Sequence, residues 1–409
     1  MTALEVCAAV VAAFWLAVAL DVKRRWPGSR LLPRGAQAPP GRGSVLVVVP
    51  ARNEAGVIGS AAASLSAQSE SFAHLVIVDD RSTDGTRSEA RDGIREAGAK
   101  AEVIDGDAPP EGWSGKLHAL QLGLDHGLAR LGPGSAPEWI LFTDGDILHR
   151  PGSIDALLLQ AGASSADLVS IMARLRAQSF WEKLCVPPFL WFFQFLYPFR
   201  RVSDPRSSVA AAAGGCLLIR RSLLERLGGL EAIRGELIDD VAIAKKAKLA
   251  GGRLWLGLDP GIESLRGYDT FPEIVELVAR TAYIQLRRNP ALLAGTLVFL
   301  GGIFVAPPIL LVLGLARGSL VAALSGFLSW GVQSLLYSST VRYSRVSPAV
   351  SLTLPLASLL YGYMTFLSAW RHWVGRGLQW KGRAYARREG AESQPALSGK
   401  GSEEDGTYH

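Results

Sequence analysis

The stretch Trp139-Ile140-Leu141-Phe142-Thr143-Asp144-Gly145-Asp146-Ile147 decides the fold. Its first four residues are a short apolar run, as expected of a buried strand, and an acidic turn follows directly at the carboxyl end. In open α/β sheets, ligands bind just beyond the carboxyl ends of the strands. Two carboxylates flanking one glycine are hard oxygen ligands suited to Mg2+ or Mn2+, and such an ion commonly arrives with a substrate phosphate. A lone D-x-D also makes ordinary turns. At the end of an apolar strand, with polar motifs around it, it points to a ligand site.

Upstream, residues 44–49 form a continuous β-branched run closed by Pro50, the pattern of a central parallel strand buried on both faces. A helical pattern follows to about Gln68, then a strand at 74–78 and a helix around 86–96. A strand at 101–104 and a helix at 117–131 lead into the opening stretch. Strands alternating with helices predict βαβ units and a mostly parallel sheet with right-handed crossovers. There is no internal repeat.

Motifs collect where these strands end: Pro50-Ala51-Arg52-Asn53-Glu54, then Asp79-Asp80-Arg81-Ser82-Thr83-Asp84-Gly85-Thr86, then Trp113-Ser114-Gly115-Lys116. Taken singly, Asn53 and Asp84 read as helix caps and Asp79-Asp80 as a solvated turn. Together they gather acidic, amide and lysine groups around one sheet edge. That suits a nucleotide, with Asp for base or ribose donors, Lys116 for a phosphate and a metal for the diphosphate.

Of the 409 residues, 49% are hydrophobic, and the mean hydropathy is +0.20. The apolar excess collects at the N-terminus and in the last third, which predicts a membrane protein. The formal charge is +6, but the basic groups at 23–25, 287–288 and 371–388 border apolar segments. Positive-inside placement beside anionic lipid explains that pattern better than a nucleic-acid surface. Cys7, Cys185 and Cys216 are far apart and indicate neither a disulfide framework nor a zinc site. No H-E-x-x-H occurs among the six histidines, and His118 reads as a structural histidine.

Residues 3–22 are long enough to cross a bilayer, and the basic Lys23-Arg24-Arg25 follows them rather than preceding them. A signal peptide has the reverse order. Residues 1–25 therefore read as an anchor with its N-terminus outside, and the next domain lies in the cytoplasm. Residues 26–43 are a Pro/Gly-rich linker. Apolar segments at 291–315, 319–340 and 349–369 are each long enough to span. With all three crossing, the basic Trp380–Arg383 stretch would lie outside, so one of them is expected to be re-entrant. Gly301-Gly302 and Pro307-Pro308 point to the first. Residues 371–409 form a basic juxtamembrane stretch and a polar tail expected to be disordered.

The motifs VVVPARNE, IVDDRSTDGT, WSGK and TDGD resemble the nucleotide-sugar half of family-2 inverting glycosyltransferases, which have the GT-A fold. The resemblance runs from about Ser44 to Arg288. It implies that Pro50, Asn53, Glu54 and Asp79 or Asp80 line a uridine pocket. It further implies that Asp144 and Asp146 meet ribose, diphosphate and metal. The family's later acidic pair matches Asp239-Asp240, with Asp240 as general base and Asp239 where Glu is usual. The family's Q-x-x-R-W element is matched by Gln285 and Arg288, with Asn289 in the Trp position. Apart from the resemblance, inverting transfer needs one carboxylate to take the acceptor's proton, an effect of roughly 10²–10⁴-fold. A helix N-terminus favouring acidic residues explains one of the pair, but less well both.

Gly214-Gly215, before a strand-like 216–219, allows either close acceptor approach or a plain bulge. Residues 180–202, FWEKLCVPPFLWFFQFLYPFRRV, are unusually aromatic, and their prolines argue against a spanning helix. The reading favours an interfacial lid, with Trp191 meeting a lipid acceptor, over core packing. The whole layout most resembles the hopanoid-biosynthesis-associated glycosyltransferases, with ceramide glucosyltransferases and carotenoid glycosyltransferases nearby. The expectation is a multi-pass enzyme of the inner membrane. Its catalytic domain (44–290) is cytoplasmic, and it moves sugar from a nucleotide sugar, UDP-linked by the resemblance, to a lipid hydroxyl with Mg2+ or Mn2+. The rivals are transfer to a polyprenyl phosphate and a catalytically silent nucleotide-sugar-binding scaffold.

Overall fold

A computed structural model describes residues 2–21, 32, 44–68, 72–95 and 100–374, and the backbone of 379–380 and 383–384. The basic residues 23–25, the linker at 33–43 and the tail beyond Glu389 lie outside the described residues, as does Lys381.

Eight strands form one sheet: β1 Val45–Ala51, β2 Phe72–Asp79, β3 Ala101–Asp105, β4 Trp139–Thr143, β5 Ile147–His149, β6 Leu168–Arg174, β7 Cys216–Arg220 and β8 Leu254–Ser264. Their order across the sheet is β3-β2-β1-β4-β7-β6-β8-β5. β1 to β4 run parallel, as the apolar runs predict, and β6 pairs parallel with β8. β7 runs against both β4 and β6, and β5 against β8, so the sheet is mixed but mostly parallel. Every residue of β1 is buried, which is why its sequence is unbroken rather than alternating. Helix Gly115–Leu131 lies across β1 and β2 so closely that a Cβ on Gly123 would come within 2.5 Å of Val48 Cγ1. That approach sets the helix start, and with it Lys116, at the carboxyl edge of the sheet.

The aromatic segment is a helix, Phe180–Leu196, with Pro187 and Pro188 inside it. Ser179 caps it, and buried Glu182 accepts N–H groups from Gln178 (2.7 Å), Ser179 (2.8 Å) and Tyr268 (2.8 Å). Trp191 is buried against Phe195 and Tyr337, while Phe192 packs on Phe304 and Tyr361. This stretch of the helix is thus core shared with the C-terminal helices, correcting the expectation that Trp191 faces an acceptor.

Among the described residues, four helices are long and apolar enough to cross a membrane: Ala3–Leu20, Pro290–Ala316, Leu320–Tyr343 and Pro348–Trp373. The first of the three later segments does not turn back. Helix Pro290–Phe299 runs through a π-helical turn, Leu300–Val305, into Ala306–Ala316. Pro307 and Pro308 have no N–H for the carbonyls of residues 303 and 304, four positions earlier. Those carbonyls accept instead from Trp15 Nε1 (3.0 Å) and Gln333 Nε2 (3.2 Å). With both oxygens satisfied, the helix need not break.

Contacts at both ends of the last segment reach residues 263–283. Tyr343 packs against the sheet's core, and Arg345 lies 4.0 Å from Glu263. By Leu352 the chain has returned to the level of Trp330, whose indole donates to the Leu352 carbonyl at 3.1 Å. At about 1.5 Å per residue, thirteen helical residues separate Trp330 from Tyr343 by roughly 20 Å. Helix Leu354–Trp373 then comes back to the catalytic domain, where Arg371 pairs with Glu276 at 2.6 Å and Ser368 Oγ accepts from Tyr283 N.

Candidate active site

A cleft of about 800 Å3 opens along the carboxyl edge of the sheet. Its wall holds the charged Glu54, Lys116, Asp144, Asp146, Asp239 and Asp240 and also the apolar Met172, Leu175, Phe189, Phe193 and Leu277. Asp239 and Asp240 are on the first turn of helix Asp239–Leu249.

Strand order explains the convergence. β1 and β4 are neighbours, so Pro50 and the D-x-D emerge side by side. β7 pairs antiparallel with β4, so its N-terminal end, with Gly214-Gly215 before it, meets the same edge. The Thr143 hydroxyl donates to the Gly215 carbonyl at 2.7 Å and faces His149 Nε2 at 2.9 Å. Burial pushes His149 down to about 4, so this ring is neutral and braces the turn.

Lys116 Nζ stands 2.8 Å from Asp144 Oδ1 and 3.3 Å from Asp239 Oδ2. Burial alone would lower its pKa, but Asp144 and then Asp239 more than offset that and hold it well above the usual lysine range. Burial raises Asp144 despite the lysine, and the charge of Asp146 adds to the rise. Asp240 is pushed up to about 7, first by burial and then by the charge of Asp239, against the pull of Lys116. The Gly214 N–H donates to Asp240 Oδ2 at 2.8 Å. A Cβ on Gly214 would stand 3.2 Å from Lys116 Nζ and 3.4 Å from Asp240 Oδ2. Gly214 therefore positions the carboxylate through its backbone.

Asp146 Oδ2 accepts from the Ser264 hydroxyl at 2.5 Å and lies 3.8 Å from Arg266 Nε. Arg266 also pairs with buried Glu54 through Nη2. Among the described residues, no three His, Cys, Asp or Glu side chains converge to hold an ion. Two carboxylates do suit Mg2+ or Mn2+ whose remaining oxygens come from phosphate and water, because neither ion requires an all-protein cage. The donor set of Asp144 and Asp146 fits on that basis.

Asn53, Asp79 and Asp80 lie beside the cleft rather than in its wall. Asn53 Oδ1 accepts from Thr83 N at 3.0 Å, Asp79 Oδ1 from Ser82 N at 3.2 Å, and Arg52 sits 3.9 Å from Asp80. These groups tie the loops after β1 and β2 together. His118 pairs with Asp107, as a structural histidine would. Gln285 accepts from Tyr197 Oη at 2.6 Å and Arg288 is exposed; neither lines the cleft. Asn289 is the N-cap of the following helix, accepting from Ala291 N at 2.8 Å, a role that accounts for an amide there.

Sequence reading missed Ser264, Arg266 and Leu277, and within the aromatic stretch 180–202 it singled out Trp191 where the cleft is lined by Phe189 and Phe193. The available signals were the apolar runs LVSIMAR and LWLGL, which are β6 and the start of β8. Reading them as strands would have placed Ser264 and Arg266 at the same sheet edge.

Residues 46–228 match the family model described as Glycosyl transferase family 2. A mannosyltransferase from Pyrobaculum calidifontis, solved with GDP-Man and Mn2+, is similar at 22% identity and a TM-score of 0.50, over 88% of this chain and 99% of that one. Glucosyl-3-phosphoglycerate synthase from Mycobacterium tuberculosis is similar at 21% identity over 60% of this chain and 80% of that one, with a TM-score of 0.38. No curated protein is similar enough to count as a relative. The family-2 match is confined to residues 46–228, and the mixed sheet with its helices is GT-A-like.

Proposed function

We propose that this glycosyltransferase transfers sugar, with inversion, from a nucleoside diphosphate sugar to a hydroxyl of a membrane lipid. The observation that carries the reading is that Asp240 shares one cleft with Lys116 and the D-x-D carboxylates and with the apolar Phe189, Phe193 and Leu277. The donor's diphosphate would lie by Lys116 and the D-x-D. Asp240 would take the acceptor's proton as the new C–O bond forms. The bond from the anomeric carbon to the diphosphate breaks on the opposite face, its electrons leaving with the diphosphate. Asp144 and Asp146 would hold a divalent cation, which when bound supplies charge for the leaving diphosphate. The Pyrobaculum protein, solved with GDP-Man and Mn2+, supports both the donor class and the metal. The sequence resemblance implies uracil as the base.

The acceptor reading rests on Phe189, Phe193 and Leu277 in the cleft wall; the first two share helix Phe180–Leu196 with Trp191 and Phe192, which pack on the apolar helices. Outward-facing Val10, Leu16, Val298, Val312, Leu328 and Leu335 are between 59% and 74% exposed. Apolar side chains so open to the surroundings suit lipid rather than water. A lipid held in the bilayer presents its hydroxyl with less orientational freedom to lose. A hopanoid-type polycyclic alcohol is the acceptor implied by the sequence resemblance. The catalytic domain lies on the cytoplasmic face of the inner membrane in this reading.

The test is incubation of purified protein with radiolabelled UDP- and GDP-sugars, Mg2+ or Mn2+, and a lipid extract, followed by mass spectrometry of labelled lipid. Labelled product that disappears with Asp240→Asn is expected. Label transferred only to water-soluble glycans, or to a lipid phosphate, would overturn the acceptor assignment.

A further inference from the structure

Departure of a nucleoside diphosphate leaves negative charge on the phosphate oxygen that had held the sugar, and the cleft must meet it with fixed positive charge. Arg288, matched by the resemblance to the family's Q-x-x-R-W element, is one basic group to consider. In the structure, Arg287 and Arg288 both adopt left-handed backbone, with φ of 54° and 53°, at the reversal between Ala282–Gln285 and the long helix from Pro290. The Tyr283 hydroxyl donates to the Arg288 carbonyl at 2.8 Å, fixing that reversal. The Arg288 side chain is exposed and outside the cleft.

Arg266, by contrast, lines the cleft. It follows β8, and the Leu265 N–H donates to the Asp146 carbonyl at 2.8 Å, tying the loop to the D-x-D turn. Its guanidinium bridges Glu54 and the Asp146 carboxylate. The same side chain therefore touches the β1 loop and the carboxylate best placed for the metal. A planar guanidinium can engage two phosphate oxygens at once, which an ammonium cannot.

We propose that Arg266 binds the diphosphate of the donor and stabilises it as it leaves. In the empty site it serves as counter-ion to Glu54 and Asp146. This rests on the reading of the donor as a nucleoside diphosphate sugar. Asp144 and Asp146 would hold the metal, leaving the Arg266 guanidinium to face the phosphates of a bound donor. No bond to Arg266 is made or broken, and its proton stays in place throughout.

The test uses the full-length protein in detergent with Mg2+, and calorimetric titration with UDP, GDP, uridine and guanosine. Wild type is expected to bind one diphosphate more tightly than its nucleoside. Arg266→Gln should lower the diphosphate affinity about tenfold to a hundredfold, the scale of a lost charge-assisted pair, and leave the nucleoside affinity within about twofold. Arg266→Lys, which keeps a counter-ion for Glu54 and Asp146, should recover part of the loss. With donor saturating, Arg266→Gln should also lower kcat. Unchanged diphosphate affinity in Arg266→Gln would overturn the proposal. Equal loss of nucleoside and diphosphate, or a larger selective loss in Arg288→Gln, would overturn it as well. If wild type binds neither diphosphate, it is the donor reading that fails.

Discussion

At the residue scale the site is defined by competition among four carboxylates, Asp144, Asp146, Asp239 and Asp240, around Lys116. Asp240 must be ionised to accept a proton, yet burial and Asp239 push it up to about 7. The transfer rate should therefore fall about tenfold per pH unit on the acid side of neutrality. Asp239→Asn removes the neighbouring negative charge, so Asp240 should ionise at lower pH and the acid limb should move down. The pH profile of kcat/KM for both forms checks this, and a limb moving upward would refute it. The carboxylates and Lys116 were legible in the sequence because each lies in a local motif beside a strand or helix end. Arg266 was not, because its meaning arises only when β8 pairs with β5 and brings residue 266 onto Asp146.

At the scale of elements, two proline pairs were read too strongly as breakers. Pro187-Pro188 sits inside helix Phe180–Leu196, held by its capped start and by packing on both sides. The helix does two jobs. Trp191 faces the apolar helices, whereas Phe189 and Phe193 face the cleft. Trp191→Ser should cost about 3–5 kcal/mol of stability, as large-to-small core changes do, and shift the unfolding curve in denaturant. Phe193→Ser should instead raise KM for the lipid acceptor several-fold while barely changing KM for the nucleotide sugar. Equal effects on the two substrates would count against the acceptor wall. Pro307-Pro308 is accommodated differently, through the indole of Trp15 and the amide of Gln333. Gln333→Leu keeps the bulk but leaves the Phe304 carbonyl without that donor. It should lower the melting temperature in detergent, consistent with a loss of about 1–3 kcal/mol; an unchanged Tm would show that the π-helical turn needs no side-chain donor. The sequence displayed the prolines, but not the donors more than twenty residues away that make them tolerable.

At the scale of the whole molecule, counting apolar segments gave the right puzzle and misplaced its solution. Four crossings would leave the chain's last helix ending opposite the catalytic domain. The expected remedy, a turn within the first C-terminal segment, was suggested by glycines and prolines that in fact lie within one continuous helix. Contacts point instead to the last segment. Its start lies near Glu263 through Arg345, its turn is level with Trp330, and its end reaches Glu276 through Arg371. Leu320–Tyr343 begins at the other side, where Ser319 donates to Glu5 Oε1 at 3.2 Å. The topology expected from these contacts is three crossings, with residues 344–373 entering and returning on the catalytic side, in keeping with basic groups at both ends. In a Cys7→Ser background, single cysteines at exposed Arg317, Ser347 and Val374 distinguish the alternatives. An impermeant maleimide applied to sealed inverted vesicles should label Ser347→Cys and Val374→Cys. Arg317→Cys should react only when the reagent is applied from the opposite face. Val374→Cys labelling together with Arg317→Cys, and apart from Ser347→Cys, would mean that the last helix crosses fully and that its contacts with Glu276 and Tyr283 do not form in the membrane.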